Sequence, residues 1–384
     1  MIRSLVFKLQ MSAREGRAFE AAMQHSNDLY NAALQERIDA WSKSKVSITK
    51  FDQMKSLTVI RGENPEFKRY AAVMQRVPLE QVDKAFKGFF ARIKKGQTPG
   101  FPRFRSIKRV RSFGFTEAAG WKIQGNVLSM KGLPNVRLKM HRELVGKPLK
   151  LIVKRRPTGW VAIIVVRQDC VSGPVAPGAT GYDLGITDIV TDSDGRHFGK
   201  INPERSNSAD RLRTEQSLAR KKRGSKRWRR AQKQLAQQRH REANRRRTKH
   251  FQLASEIVRN AAGILVFEKL QVKNMTRSAK GTIENPGKNV AAKSGLNRSL
   301  QDAGLSQFLK IVTDKAESAG RLVVLVDPRN TSQNCSACGT KAAKTLRERR
   351  HICSCGCNLH RDHNAAINIR NRGVVAPDRL KLAA

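Results

Sequence analysis

The sequence predicts a multidomain α+β protein, and three observations carry that prediction. Apolar stripes at helical spacing occupy the first hundred residues, and short β-like runs crowd residues 100–170. Beyond residue 180, strands alternate with helices, the pattern of an α/β sheet. At 384 residues the chain is long enough for two or three domains with cores of their own.

Charge narrows the partner before any motif does. Lys and Arg total 76 against 31 acidic residues, a formal net charge of +45. Such an excess repels itself unless a polyanion neutralises it, and nucleic acid is the default polyanion. A membrane surface is the rival, but no apolar run approaches the roughly 18 residues of a spanning helix. The opening "MIRSLVFKLQ" lacks the apolar core and small-residue cleavage site of a signal peptide. A cytoplasmic, nucleoid-associated protein is expected. Five of the six cysteines fall between 335 and 357, which is not a disulfide framework.

Taken in order, "IRSLVFKLQ" alternates and reads as a short strand. Phe19, Met23, Tyr30, Leu34, Ile38 and Trp41 then fall on one helical face. A second helix runs through Leu79, Val82, Phe86, Phe89, Phe90 and Ile93, with Pro78 near its start and Gly96 past its end. Both stripes are expected to be ordinary helical core.

In "GFPRFRSIKRVRSFGF" (100–115) aromatics interleave with cations. Phe101, Phe104, Phe113 and Phe115 among Arg103, Arg105, Lys108, Arg109 and Arg111 suit a surface that stacks bases and holds phosphates. The alternative is a strand that buries its Phe face and leaves its cations in water; the global charge favours nucleic-acid contact. "KLIVKR", the turn "RPTG" and "WVAIIVVR" form a hairpin, so a small sheet or barrel is expected here.

"SGPVAPGATG" (172–181) is a Pro/Gly-rich linker and the clearest domain boundary. Strands "TGYDLG" and "DIVTDSDG" follow. Residues 211–250 then hold 17 Lys/Arg and two Glu with few large apolar residues. That density favours a phosphate-tracking helix pair, including Lys221, Lys222, Arg223, Lys226, Arg227, Arg229 and Arg230. A helix (251–260), the buried strand "GILVFE", a polar loop (276–296), a helix near 303–318 and the strand "RLVVLVD" complete this half.

Chemistry concentrates in "CSAC" (335–338) and "CSCGC" (353–357). Two close pairs of thiolates separated by a loop describe a zinc ribbon whose metal is structural, since four thiolates leave no open position. Cys335 and Cys338 make the first pair. Cys353, Cys355 and Cys357 compete for the second, with His351 and His360 as alternative ligands. Cys170 reads as an inert core residue. Asp362 is then surplus to zinc, and a hard carboxylate suits magnesium better. Its local alternative is an N-cap on the helix "NAAINIR". Asp183 in "GYDLG" and Glu268 at the end of "GILVFE" are carboxylates at strand ends, costly unless paired or metal-bound. The three could converge on two magnesium ions about 3.5–4 Å apart. Spacing alone does not distinguish this from any acidic triple in an α/β protein.

"GYDLGITDIVTDSDG", "ILVFEKLQVKNM", "TSQNCSACG" and "CGCNLHRDHNAAINI", in that order, closely resemble the TnpB family of transposon-encoded RNA-guided DNA nucleases, relatives of the type V CRISPR effectors. "LYNAALQER", "GFPRFRS" and "KKRGSKRWRRAQKQLA" extend the resemblance over nearly the whole chain. It implies a RuvC-like (RNase H-like) nuclease domain over 176–370 with a zinc ribbon inserted at 330–360. It also implies a β-barrel wedge domain from 1–10 and 100–175, a helical recognition domain over 11–99, and a disordered tail, 371–384. By the same resemblance Asp183, Glu268 and Asp362 are the catalytic residues holding two Mg²⁺ ions, and one Zn²⁺ sits in the ribbon. The implied partners are a guide RNA from the transposon end and double-stranded target DNA beside a short flanking motif. One departure stands out: the family's second knuckle is CxxCG, whereas a single residue separates Cys353 from Cys355. Two other readings are a nuclease-inactive RNA-guided repressor and an RNase H-like DNA transposase. The filled acidic positions speak against the first, and the lack of a separate DNA-binding head against the second.

Overall fold

The computed structural model describes residues 2–169, 177–199, 208–345 and 348–374. It divides into two compact units, 1–169 and 170–384.

In the first unit, strand β1 (Ile2–Gln10) is followed by helices α1 (Ala13–Ser44), α2 (Lys50–Glu63) and α3 (Ala72–Lys94). Helix α1 starts where Ser12 and Glu15 form a reciprocal capping box, and it ends on Lys45 in the left-handed region. Phe19, Met23, Tyr30 and Leu34 are buried as expected, but Trp41 is exposed because the helix runs past its core. Helix α3 begins six residues before Pro78, so the proline lies inside it. Losing one backbone hydrogen bond there is offset by burying Pro78, Leu79 and Val82. Phe90 and Ile93 leave the core and face solvent. Helix α2 starts where Thr49 and Asp52 form a capping box.

Strands β2 (Ser112–Phe115), β3 (Trp121–Gln124), β4 (Val127–Met130), β5 (Val136–Lys139), β6 (Lys147–Arg156) and β7 (Gly159–Arg167) join β1 in one antiparallel sheet, ordered β2-β6-β7-β1-β5-β4-β3. The β6–β7 hairpin closes with Arg156 opposite Gly159, as its turn residues predict. Phe7, Phe19, Phe113, Phe115, Leu151 and Ile164 form the core against α1.

The second unit holds strands β8 (Ala179–Leu184), β9 (Val190–Asp192), β10 (His197–Phe198), β11 (Ile264–Glu268) and β12 (Leu322–Val326) in the order β10-β9-β8-β11-β12. The β10–β9–β8 half is antiparallel, whereas β8–β11 and β11–β12 are parallel. Helices α4 (Ser208–Ala219) and α5 (Lys226–Asn260) carry the basic stretch. The expected helix over 251–260 is the end of α5, which is one 35-residue helix. A short helix α6 (Val272–Met275) precedes the expected polar loop, and the start of α7 (Val290–Ala303) takes its last residues. Helix α8 (Leu305–Ser318), the hairpin β13 (Arg350–Ile352) and β14 (Asn358–His360), and helix α9 (Arg361–Val374) follow. Cys170 and residues 375–384 lie outside the described residues.

Pleating sorts the side chains of the second sheet onto two faces. Tyr182, Leu184, Leu265 and Phe267 pack with Ala254, Ile257, Phe308 and Val312 on one. Val266, Val324 and Val326 pack with Ile369 of α9 on the other. Gly181 lets α9 lie directly on β8: a Cβ there would sit 2.1 Å from the Ala366 carbonyl oxygen.

Candidate active site and metal centre

The same alternation places two carboxylates under α9. Gly181 faces that helix, so Asp183, two residues on, shares its face. Val266 lies on this face too, and Glu268 is two residues beyond it. Val266 pairs with Gly181 and Phe267 with Tyr182, which brings the C-terminal ends of β8 and β11 side by side. Asp362 enters from above in the first turn of α9. Because α9 begins at Arg361, Asp362 lies inside the helix rather than capping it.

Desolvation, then the charges of Glu268 and Asp362, push the Asp183 carboxyl well above the usual carboxylate range, with Arg361 opposing. Burial raises Glu268 as well, while the Thr331 hydroxyl and the Arg372 charge work against the rise. Among the described residues, the His/Cys/Asp/Glu groups with all ligand atoms within 4.8 Å of one another are both built on the cysteines and do not include these acids. A half-desolvated carboxylate beside two others fits cations and is unfavourable without them.

Further residues around the acids escaped the sequence reading. Thr331, 1 % exposed, donates its hydroxyl to Glu268 Oε1. Its own carbonyl accepts from Asn368 Nδ2 at 2.8 Å. Asn364 and Asn368 each donate to the Asn334 carbonyl at 2.8 Å, and Asn364 Oδ1 accepts from the Ser336 N–H at 2.9 Å. The polar side chains of "NAAIN" therefore clamp α9 onto "TSQNCS". His360 Nδ1 stands 4.0 Å from Asp362 Oδ2, its ring edge-on to His197 at 4.7 Å. Thr331, Asn364 and Asn368 lie within the two motifs, among cysteines, histidines and carboxylates whose metal-binding chemistry is the stronger local signal.

The cysteine cluster forms beside this clamp. Cys335, Cys338, Cys353 and Cys355 bring their sulfurs within 4.8 Å of one another. The Cys335–Cys355 and Cys338–Cys353 pairs are each 3.6 Å apart. Four soft ligands so gathered could hold a metal such as zinc. Thr340 hydrogen bonds bring the Cys338 thiol down to about 6. For Cys355 the Cys357 N–H favours the thiolate, but hydrogen bonds with the Cys338, Cys335 and Cys353 sulfurs push it up to about 12. Cys357 falls in a second group with Cys335 and the buried His351. His360 turns to Asp362 instead.

The basic and aromatic residues divide. Phe113 and Phe115 are in the first unit's core, so the burial alternative holds for them; Phe101 and Phe104 are exposed. Arg103, Lys108 and Arg109 are exposed, but Arg105 is half-buried, its guanidinium 3.5 Å from the Tyr30 ring centroid and bonded to Gln81. Arg105 also donates its N–H to Asn31, so it tethers the loop to α1 rather than facing a phosphate. In the second unit Lys222, Arg223, Lys226, Arg227, Arg229 and Arg230 are exposed at the α4–α5 turn. Lys221 is half-buried and donates to the Ser217 carbonyl. Among the described residues, no helix is long and apolar enough to cross a membrane.

Comparison with known proteins agrees with this layout. A family profile described as "Probable transposase" (OrfB_IS605) matches residues 174–279, and a "Cas12f1-like, TNB domain" profile matches 306–369. An Escherichia coli K12 protein named "Putative RNA-guided DNA endonuclease InsQ" is 30% identical over 266 residues, covering 69% of this chain and 64% of that protein. The chain thus spans just under two thirds of that relative. A Streptomyces pristinaespiralis protein named "Putative RNA-guided DNA endonuclease" is 27% identical over 358 residues, covering 91% of this chain and 83% of its own length. The fold resembles that of a Cas12f1 protein solved by cryo-EM with sgRNA and target DNA. The TM-score is 0.60 at 14% identity, over 94% of this chain and 83% of that one. With the motifs in order and both family profiles falling on the second unit, the chain belongs to the TnpB family.

Proposed function

We propose that the chain is an RNA-guided DNA endonuclease of a transposable element. It hydrolyses phosphodiester bonds in guide-complementary DNA, next to a short flanking motif, at a two-magnesium site held by Asp183, Glu268 and Asp362. One observation supports the reading: Asp183 at the end of β8 feels the charges of Glu268 at the end of β11 and of Asp362 in the first turn of α9. The strand order, antiparallel from β10 to β8 and parallel from β8 to β12, supports a RuvC-like domain. The names of the two relatives supply the substrate class, and the +45 charge suits both RNA and DNA.

When bound, magnesium ions lower the pKa of the attacking water and stabilise the leaving oxygen. The chain's own residues hold and aim that chemistry. Asp183 and Glu268 present oxygens from adjacent rigid strands, and α9 presents Asp362 opposite them. Thr331 fixes one Glu268 oxygen. Cys335, Cys338, Cys353 and Cys355 hold one structural zinc, which braces the segment that α9 grips through Asn364 and Asn368. The exposed cations at the α4–α5 turn contact nucleic-acid backbone, consistent with nucleoid association.

The test is to express the chain with its downstream locus and sequence the RNA that copurifies. One discrete structured RNA with a variable 3′ end is expected to direct cleavage of matching DNA. Asp183→Ala, Glu268→Ala and Asp362→Ala should each abolish cutting and leave guided binding intact. Binding lost together with cutting would refute the catalytic assignment. Strand-joined products in place of free ends would make the chain a transposase.

A further inference from the structure

The core stripe expected along α3 does not end in the core. Phe90 is 60 % exposed and Ile93 49 %, and the loop after the helix brings up Phe101 at 50 %. Gly96, at φ +63°, turns the chain back, and Arg92 pins the return by donating to the Gly100 carbonyl at 2.9 Å. Phe101 then stands edge-on to Phe86 and Phe89, with ring centroids 5.7 and 5.4 Å apart. Phe89 also meets Phe90 at 5.2 Å. Four rings held by one another, two of them facing solvent, make a preorganised apolar platform rather than a frayed helix end.

Its surroundings decide what covers it. Residues 84–111 contain ten Lys/Arg and no Asp or Glu. A second copy of the chain meeting this patch about a two-fold axis would set those cations against themselves. An acidic polymer with flat apolar faces meets both demands, and unpaired RNA bases are such faces on a phosphate chain. RNA recognition characteristically splays single-stranded bases onto aromatic rings.

We propose that Phe90 and Phe101 form a stacking platform for unpaired bases of the RNA that this protein binds, with Lys94 and Arg103 on the adjoining phosphates. The inference rests on the RNA-binding part of the function proposed above and not on the cleavage chemistry.

The experiment measures equilibrium binding of the full-length protein, stripped of nucleic acid in high salt, to a labelled oligouridylate and to an RNA duplex of equal charge. Phe90→Ala and Phe101→Ala should each weaken oligouridylate binding about tenfold. Duplex binding and the salt slope should stay put, because no phosphate contact is lost. Phe90→Trp should retain or tighten binding. Equal losses on both probes, or no loss on either, overturn the platform. A parent that is dimeric by light scattering and becomes monomeric on Phe90→Ala overturns it in favour of a second copy. The readout requires no cleavage, so a protein that fails to cut DNA can still pass, and one that cuts can still fail.

Discussion

Thr331 donates its hydroxyl proton to the Glu268 carboxylate, and both side chains are buried. The residue that holds Glu268 therefore lies four positions before Cys335, in the segment that leads into the cysteine cluster. Asn368 binds the carbonyl of that same threonine from α9, the helix that carries Asp362. The cysteine cluster and the carboxylates share one hydrogen-bonded frame.

Thr331→Val keeps the shape and removes the donor. A buried hydrogen bond to a charged group contributes roughly 1.5–3 kcal/mol, so cleavage should slow about ten- to a hundredfold. The magnesium concentration for half-maximal rate should rise, and Thr331→Ser should restore both. A slower Val variant with unchanged magnesium dependence would show that Thr331 only supports the fold.

Asp183 makes a pH prediction for the metal-free protein. Its folded carboxyl titrates above its unfolded value, so the folded state holds the proton more tightly. Stability present below about pH 4 is then lost as pH rises toward the folded value. Asp183→Asn, which cannot ionise, should melt at a higher temperature than the parent at neutral pH without magnesium. Saturating magnesium should narrow or reverse the gap. Thermal melts across pH that run parallel for the two proteins would contradict the crowding of the three acids.

The cysteine geometry separates four ligands from a fifth thiol. Cys338→Ser or Cys355→Ser should lower bound zinc well below one per chain by elemental analysis and destabilise α9. Cys357→Ser should leave the zinc content at its parental value. Zinc lost in the Cys357 variant but kept in the Cys355 variant would move the site to the group of Cys335, His351 and Cys357.

Much of this was legible along the chain because the signals are local. "IRSLVFKLQ" alternates and is β1; "GILVFE" is apolar with an acidic end and is β11. Other signals misled for equally local reasons. Proline favours a first helical turn, so Pro78 looked like a start, yet the burial of Val73 and Met74 extends α3 beyond it. Phe90 continues a helical stripe whose partner surface has ended. Phe113 and Phe101 sit in the same aromatic–cation pattern, but only Phe113 lies in a strand that pairs with β6 over the core.

By itself the sequence determined the chemical inventory: a polyanion-seeking charge, three carboxylates at element ends, clustered thiols, and motifs whose order identifies the family. It did so because side-chain type and short-range spacing are carried by the chain directly. Only the tertiary structure decided which groups meet. Strand register set Asp183 beside Glu268 and turned both toward α9, and the absence of a Cβ at Gly181 let that helix come close enough to deliver Asp362. Folding of the ribbon gathered Cys355 with Cys335, Cys338 and Cys353 and set Cys357 apart from that four. Such choices depend on packing between residues far apart in sequence, where alternation and spacing carry no information.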